Sequence, residues 1–287
     1  MIDIIKDYIT LTKPTIMLLL LITAAGGMVM AAEGAPGWNI IAAVLIGGAF
    51  ASGGASALNH YLERDSDLLM KRTANRPVSS RRIPIRNACI FGISLTICSF
   101  AIIWIGSNLF AASLAMLGSV LYLLLYTKLL KRSTIQNIVI GGAAGAMPPL
   151  VGWAAVTGNL TLSAYYLFLI IFFWTPPHFW ALSLLIKKDY AEANIPMLPV
   201  IYGEAVTRKS ILLYTIVLVT ITSLFTMASE QLGLFYLIGS GLLGILFLVS
   251  AIRLVISKTH RAILETYIYS MAYLAILFSI IMIESTT

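Results

Sequence analysis

Nine windows of about twenty apolar residues recur along this 287-residue chain, and a window of that length is enough to cross a bilayer. They fall at approximately 14–32, 39–60, 87–106, 109–127, 135–157, 161–186, 209–229, 232–256 and 263–283. The chain is 59% hydrophobic and 11% charged, whereas soluble domains carry about a quarter charged residues. So much apolar surface cannot be hidden in one aqueous core. The pattern predicts an all-α polytopic membrane protein. Pro148-Pro149 and Pro176-Pro177 interrupt two of the windows. Such breaks survive in membrane helices where neighbours re-satisfy the freed backbone groups, often beside a cavity.

Every Lys and Arg falls in alternate inter-span segments. Two precede span one (Lys6, Lys13) and seven follow span two (Arg64 to Arg86). Three follow span four (Lys128, Lys131, Arg132), four follow span six (Lys187, Lys188, Arg208, Lys209), and three flank the end of span eight (Arg253, Lys258, Arg261), which completes all 19. The positive-inside rule then puts the N-terminus in the cytoplasm and, after nine crossings, the C-terminus outside. It also accounts for the net charge of +7, which in a soluble chain would suggest nucleic acid and here does not. Span one is too long for a signal-peptide apolar region. With no small-residue cleavage site and no Arg/Ser-rich, acidic-poor leader, it reads as retained in a bacterial or archaeal cell membrane. Cys89 and Cys98, nine residues apart in one span, fall on opposite sides of a helix and read as packing residues.

The run with chemical potential is Asn59-His60-Tyr61-Leu62-Glu63-Arg64-Asp65-Ser66-Asp67, at the cytoplasmic exit of span two. Asn59, Glu63 and Asp67 are spaced four apart, so on a continued helix they share about 80° of one face. Three oxygen donors on one stripe suit Mg²⁺, which binds through carboxylates together with substrate phosphates. Asp65 joins them if the helix loosens there. The same run also reads as a helix leaving the bilayer, with solvated carboxylates beside Arg64. Arg72 and Arg76, five and nine residues after Asp67, favour the metal reading, because guanidinium forks match phosphate oxygens. Carboxylates and arginines together can hold a diphosphate and stabilise it as a leaving group.

Asn59 to Asp67, followed by Met70-Lys71-Arg72-Thr73-Ala74-Asn75-Arg76-Pro77, resembles the first signature of the UbiA superfamily of intramembrane prenyltransferases. The resemblance extends over essentially the whole chain, nine spans included. It implies a UbiA-like bundle around a central cavity, in one domain of two pseudo-repeated four-helix halves (about 14–130 and 135–256) plus a ninth helix. It also implies that Asn59, Glu63, Asp65 and Asp67 bind Mg²⁺ and the prenyl diphosphate, with Glu63 standing where Asp is usual. Two further stretches are similar to the heme-farnesylating members. One runs from Lys131-Arg132-Ser133-Thr134 through Asn137 to Gly152-Trp153, and the other is Trp174-Thr175-Pro176-Pro177-His178-Phe179-Trp180. Quinone-forming members carry a second aspartate-rich stretch after span six. Here that place reads Leu185-Ile186-Lys187-Lys188-Asp189-Tyr190, one acid beside two lysines.

The implied reaction transfers farnesyl from farnesyl diphosphate to a vinyl group of heme b, a substrate and not a cofactor. Water completes the new substituent, giving heme O and diphosphate. The candidate catalytic residues are Asn59, Glu63, Asp67, Lys188 and Asp189. Arg72, Arg76, Lys128, Lys131, Lys187, Tyr126 and His178 are the candidate substrate-binding residues. The lysines also read as simple boundary charges. His178, inside span six, reads as facing heme, ligating its iron, or bonding a carbonyl freed by Pro177. His60 and His260 carry less signal. Trp153, Trp174, Phe179, Trp180 and Tyr126 read as pocket walls or as packing. The implied partners are the lipid bilayer and a downstream heme-modifying or oxidase-assembly protein. Three other readings compete: prenylation of an aromatic quinone precursor, a non-catalytic heme chaperone, and a secondary transporter. A transporter would place coupling residues near the midplane, where this chain has no Asp, Glu, Lys or Arg.

Overall fold

A computed structural model describes residues 2–286, and all regular structure among the described residues is helical. A leading helix α1 (Ile2–Thr12) turns at Lys13 into α2 (Pro14–Ala32). Then come α3 (Trp38–Asp67), α4 (Ile85–Gly106) and α5 (Leu109–Val120), and α5 continues unbroken as a π-helix over Leu121–Leu130. α6 (Asn137–Gly145) and α7 (Met147–Thr157) stack into one span, and α8 (Leu162–Leu185) forms the next. The short helices α9 (Lys187–Glu192) and α10 (Leu198–Ile201) precede α11 (Gly203–Ala228), α12 (Leu234–Ser257) and α13 (His260–Glu284). Among the described residues, nine stretches are long and apolar enough to cross a membrane. The chain is a multi-pass membrane protein.

One end of the bundle is tied by Arg82 to Asp7, Lys13 to Asn59, Lys131 to Glu63, and Arg208 to the Lys258 carbonyl. The opposite end is tied by Asn39 to the Gly106 carbonyl, Gln231 to Glu33, Asn108 to the Ala154 carbonyl, and the Gly233 N–H to Glu284. Successive spans therefore alternate in direction, and the basic segments gather at the first end.

Close packing comes from small residues, because lipid tails give apolar helices no hydrophobic reason to associate. A Cβ on Gly27 would lie 2.2 Å from the Pro149 carbonyl oxygen, and one on Gly152 would lie 2.1 Å from that of Ala24. α2 and α7 thus meet backbone to backbone. The α6–α7 span and α8 are the most enclosed, 61% and 67% buried, against 17% for the α5 span. The interior is built on the middle of the chain, and the flanking spans face lipid.

Two local expectations change. The second window stops at residue 60, where charges begin, but α3 continues to Asp67; the side chains turn polar while the helical hydrogen bonding persists. The two proline pairs also differ. Pro148-Pro149 occupies the first turn of α7, just after a break at Ala146, where the missing N–H is no loss. Pro176-Pro177 lies inside an unbroken α8.

Candidate active site

Because α3 stays helical, Asn59, Glu63 and Asp67 share one face, and all three are buried. Asp65 is carried to another side of the helix, where its carboxylate is 84% exposed and pairs with Arg64 at 3.2 Å. The structure brings together three of the four residues named for metal binding and leaves Asp65 in solvent.

Each of the three has a cationic partner. Arg76 donates from Nη1 to both oxygens of Asp67 at 2.8 Å. Lys131 donates to Glu63 Oε1, and Lys13 donates to Asn59 Oδ1 at 3.1 Å. The Asn59 amide nitrogen uses its two hydrogens on Glu63 Oε2 at 3.0 Å and Thr127 Oγ1 at 3.2 Å. A buried polar network satisfied this fully is rigid. Burial, then the neighbouring Arg76 charge, bring the Lys13 ammonium down to about 7, with Glu63 opposing and Lys131 adding to the fall. Two cations, Arg76 and Lys131, and two carboxylates, Glu63 and Asp67, surround this spot.

Local backbone explains who reaches the site. After α3 the chain makes tight turns, in which the Thr73 hydroxyl donates to the Asp67 carbonyl at 2.8 Å and the Arg76 N–H donates to the Thr73 carbonyl at 3.0 Å. These turns aim Arg76 back at the helix end. The π-helix does the same on the opposite side. With i to i+5 bonding, residues five apart sit over one another: Thr127 Oγ1 bonds the Tyr122 carbonyl and the Lys131 N–H bonds the Tyr126 carbonyl, each at 2.9 Å. Tyr122, Tyr126, Thr127 and Lys131 so share a face toward α3. Tyr122 and Tyr126 stack with ring centroids 6.0 Å apart. Gly141 gives Tyr126 its room, since a Cβ there would lie 2.4 Å from the ring.

The second half of the chain contributes less. Exposed Arg72 lies within electrostatic reach of Tyr126 and of buried Tyr190 on α9. Burial pushes the Tyr190 hydroxyl up, with Arg72 working against it. Lys187 bonds Glu204 at 3.5 Å, and Glu204 also holds Arg208 at 2.7 Å. Lys188 and Lys128 are exposed and Asp189 is half-buried, none with an ion pair among the described residues. His178 is buried on α8 against Trp174, Phe179 and Tyr267. Trp153 and Trp180 are core residues whose indole N–H groups lack a partner among the described residues, as do both ring nitrogens of buried His60. His260 opens α13 at an exposed position.

Sequence reasoning missed Lys13, Thr127, Tyr122 and Tyr190. Lys13 reads as a boundary charge, and only its placement before Pro14 at a helix-to-helix turn, with φ of 49°, hints at a fixed role. Thr127 depends on the π-helix offset, for which the sequence carries no periodic signal.

The donor set suits a hard divalent cation. Among the described residues no three His, Cys, Asp or Glu side chains converge to hold a metal alone. Two carboxylates and an amide oxygen on one buried stripe match Mg²⁺ completed by substrate phosphates. The surrounding cations match those phosphates.

Known proteins resemble this chain in sequence and in fold. The UbiA prenyltransferase family model matches residues 20–277. The chain is 49% identical over 279 residues to a protoheme IX farnesyltransferase of Thermus thermophilus, covering 97% of this chain and 46% of that protein. It is 46% identical over 277 residues to a protoheme IX farnesyltransferase of Nostoc sp., covering 96% and 87%. The chain thus spans about half the length of the Thermus relative and most of the Nostoc one. The fold matches that of a UbiA homolog from Archaeoglobus fulgidus bound to GPP and Mg²⁺, with TM-score 0.69, 16% identity, and coverage of 96% and 99%.

Proposed function

Since the chain belongs to the UbiA prenyltransferase family, we propose that it transfers the farnesyl group of farnesyl diphosphate to a vinyl group of heme b, giving heme O. The observation that carries the diphosphate half is the buried meeting of Asn59, Glu63 and Asp67 with Lys13, Arg76 and Lys131. The heme half rests on relatives that bear this activity in their names and align over nearly all of this chain.

Asn59, Glu63 and Asp67 would hold Mg²⁺, which supplies Lewis-acid stabilisation of the departing diphosphate when bound. Arg76, Lys131 and Lys13 turn donors toward the diphosphate oxygens, with Arg72 at the rim. The C1–O bond breaks with its electron pair leaving on diphosphate, and fixed cations make that charge cheaper to develop. Tyr122 and Tyr126 present ring faces beside the resulting allylic cation. A vinyl carbon of heme b forms the new C–C bond. The cation left beside the porphyrin takes the oxygen of water, which loses a proton to give the alcohol. Apolar helices around the site keep other water out until then. Lys188 and Asp189 lie next to Tyr190 and act from the rim of the same site. The clustered basic residues support a cell-membrane protein with this end of the bundle, and the N-terminus, on the cytoplasmic side.

Purified protein given farnesyl diphosphate and Mg²⁺, with either heme b or 4-hydroxybenzoate, tests the assignment by product mass. Heme O in the first mixture and no prenylated acid in the second is the expected result. The reverse would transfer the assignment to quinone-precursor chemistry.

A further inference from the structure

Arg82 lies where the loop after α3 doubles back, and its side chain grips three partners at once. Its Nε donates to both oxygens of Asp7 on α1, at 3.1 and 2.9 Å. Its Nη2 donates to the Asn75 carbonyl at 3.0 Å, and its Nη1 donates to the Ser80 hydroxyl at 2.9 Å. That hydroxyl gives its own proton to the Arg76 carbonyl at 2.7 Å, and the Ser80 N–H donates to the same carbonyl at 2.9 Å. The Asn75 and Arg76 carbonyls belong to the two peptide groups that flank the Arg76 Cα. Arg82 therefore holds the backbone on both sides of Arg76, directly before it and through Ser80 after it.

A guanidinium suits this task, because its donors are fixed in one plane and point in three directions. The backbone is bent to deliver it. Arg81 has a φ of 60°, a left-handed conformation that a non-glycine residue keeps only where its surroundings over-determine it. Asp7 gives the grip a reference outside the loop. It lies on α1, six residues before Lys13, which reaches Asn59 from the turn into α2. The clamp so joins the two segments that bring Arg76 and Lys13 to the site. Apolar packing holds the underside of the loop separately, since Val78 and Ile83 share a buried cluster with Leu11 of α1 and Ala57 of α3. The Arg82 side chain is 47% exposed, and ion pairs so exposed add little to stability. What the clamp sets is the angle at which Arg76 leaves the loop.

We propose that Asp7 and Arg82 are positioning residues for the prenyl-diphosphate site, a role that rests on the diphosphate reading of that site and deepens it. They hold Arg76 where it reaches Asp67 and, in turn, the diphosphate oxygens. The sign of one substitution separates placement from charge. Asp7 is an anion, so by charge alone its removal favours an anionic substrate. By placement its removal lets Arg76 drift and weakens the same substrate.

The test uses full-length protein in detergent, titrated by calorimetry with farnesyl thiodiphosphate and Mg²⁺. The KM values for farnesyl diphosphate and for heme b, and the Tm, are recorded alongside. Asp7→Ala and Arg82→Ala should each lower the thiodiphosphate affinity by about tenfold or more, as a small misplacement does. The KM for farnesyl diphosphate should rise and that for heme b stay, with the Tm within about 4 °C of wild type. The double variant should fall no further than either single one. Asp7→Glu should restore most of the affinity, whereas Arg82→Lys, which keeps the charge without the fork, should not. Arg86→Ala, an exposed cation four residues further on, should bind as wild type does. Unchanged affinity in Arg82→Ala, or tighter binding in Asp7→Ala, overturns the positioning role and leaves the diphosphate site standing. Both KM values rising together as the Tm falls also overturns it, and makes the pair a fold contact. Wild-type protein that does not bind the thiodiphosphate overturns the reading of the site itself.

Discussion

Arg76 closes over Asp67 with a single guanidinium nitrogen 2.8 Å from each carboxylate oxygen, and Asp67 has no exposed side-chain surface at all. Removing one partner of such a pair leaves an uncompensated buried charge, at a cost of about 3–5 kcal/mol. Arg76→Ala should therefore lower the Tm in detergent markedly. Adding Asp67→Asn to that variant should return a large part of the loss, because the stranded charge is then gone. Thermal melts of the two singles and the double variant measure this, and simple additivity would show the pair to be uncoupled.

Asp65→Ala provides the contrast. Its carboxylate is 84% exposed and, among the described residues, pairs only with its neighbour Arg64, and exposed pairs contribute little. Turnover, Mg²⁺ dependence and Tm should all match wild type. A loss of Mg²⁺ affinity would mean that α3 rearranges when the metal binds.

Lys131 reaches Glu63 from the π-helix, and by the proposal it passes to the diphosphate. Lys131→Ala should weaken binding of farnesyl thiodiphosphate with Mg²⁺ by at least tenfold, about 1.4 kcal/mol, as read by calorimetry. Lys128→Ala, on the exposed side of the same segment, should leave that affinity near wild type.

How much of this was legible in the sequence follows from what each feature depends on. The spans, their alternation and the gathering of charge at one end are set by hydropathy and by counting, and the structure has them within a few residues at most ends. The Asn59, Glu63 and Asp67 stripe was legible because a four-residue spacing needs only a helix that continues. Asp65 follows from the same geometry, since two residues from Glu63 is the wrong face. Thr127 and Lys131 meet Asn59 and Glu63 through a π-helix, and no spacing in Leu121–Leu130 announces five residues between stacked positions. Lys13 and Arg76 arrive from loops whose paths are set by tertiary contacts. The ring cage of His178 depends on α13, some 90 residues later in the chain.

The internal ion pairs imply that the fold does not need the metal. Glu63 and Asp67 are already neutralised by Lys131 and Arg76, so a chelator should abolish turnover and leave the Tm of substrate-free protein unchanged. Restoring Mg²⁺ should restore the rate. A Tm that falls with chelation would show a structural metal instead.

Among the described glycines, Gly152 has the least room for a side chain. An added Cβ would meet the Ala24 carbonyl oxygen at 2.1 Å, and its nearest neighbours are all α2 backbone, with no flexible side chain to yield. Gly152→Ala should cost about 1–3 kcal/mol, as overpacking does, and lower the Tm. Gly145→Ala, where nothing beyond its chain neighbours and its own helix backbone lies within 4 Å among the described residues, should be tolerated far better.

The central claim is that farnesyl diphosphate is ionised at the buried Asn59, Glu63 and Asp67 face. Single-turnover formation of heme O by Asp67→Asn tests it most directly, because the substitution keeps the shape and removes the charge. With folding confirmed by Tm, the rate should fall about 100-fold or more, in line with removal of an electrostatic stabiliser. A rate equal to wild type would contradict the assignment and place the leaving diphosphate elsewhere.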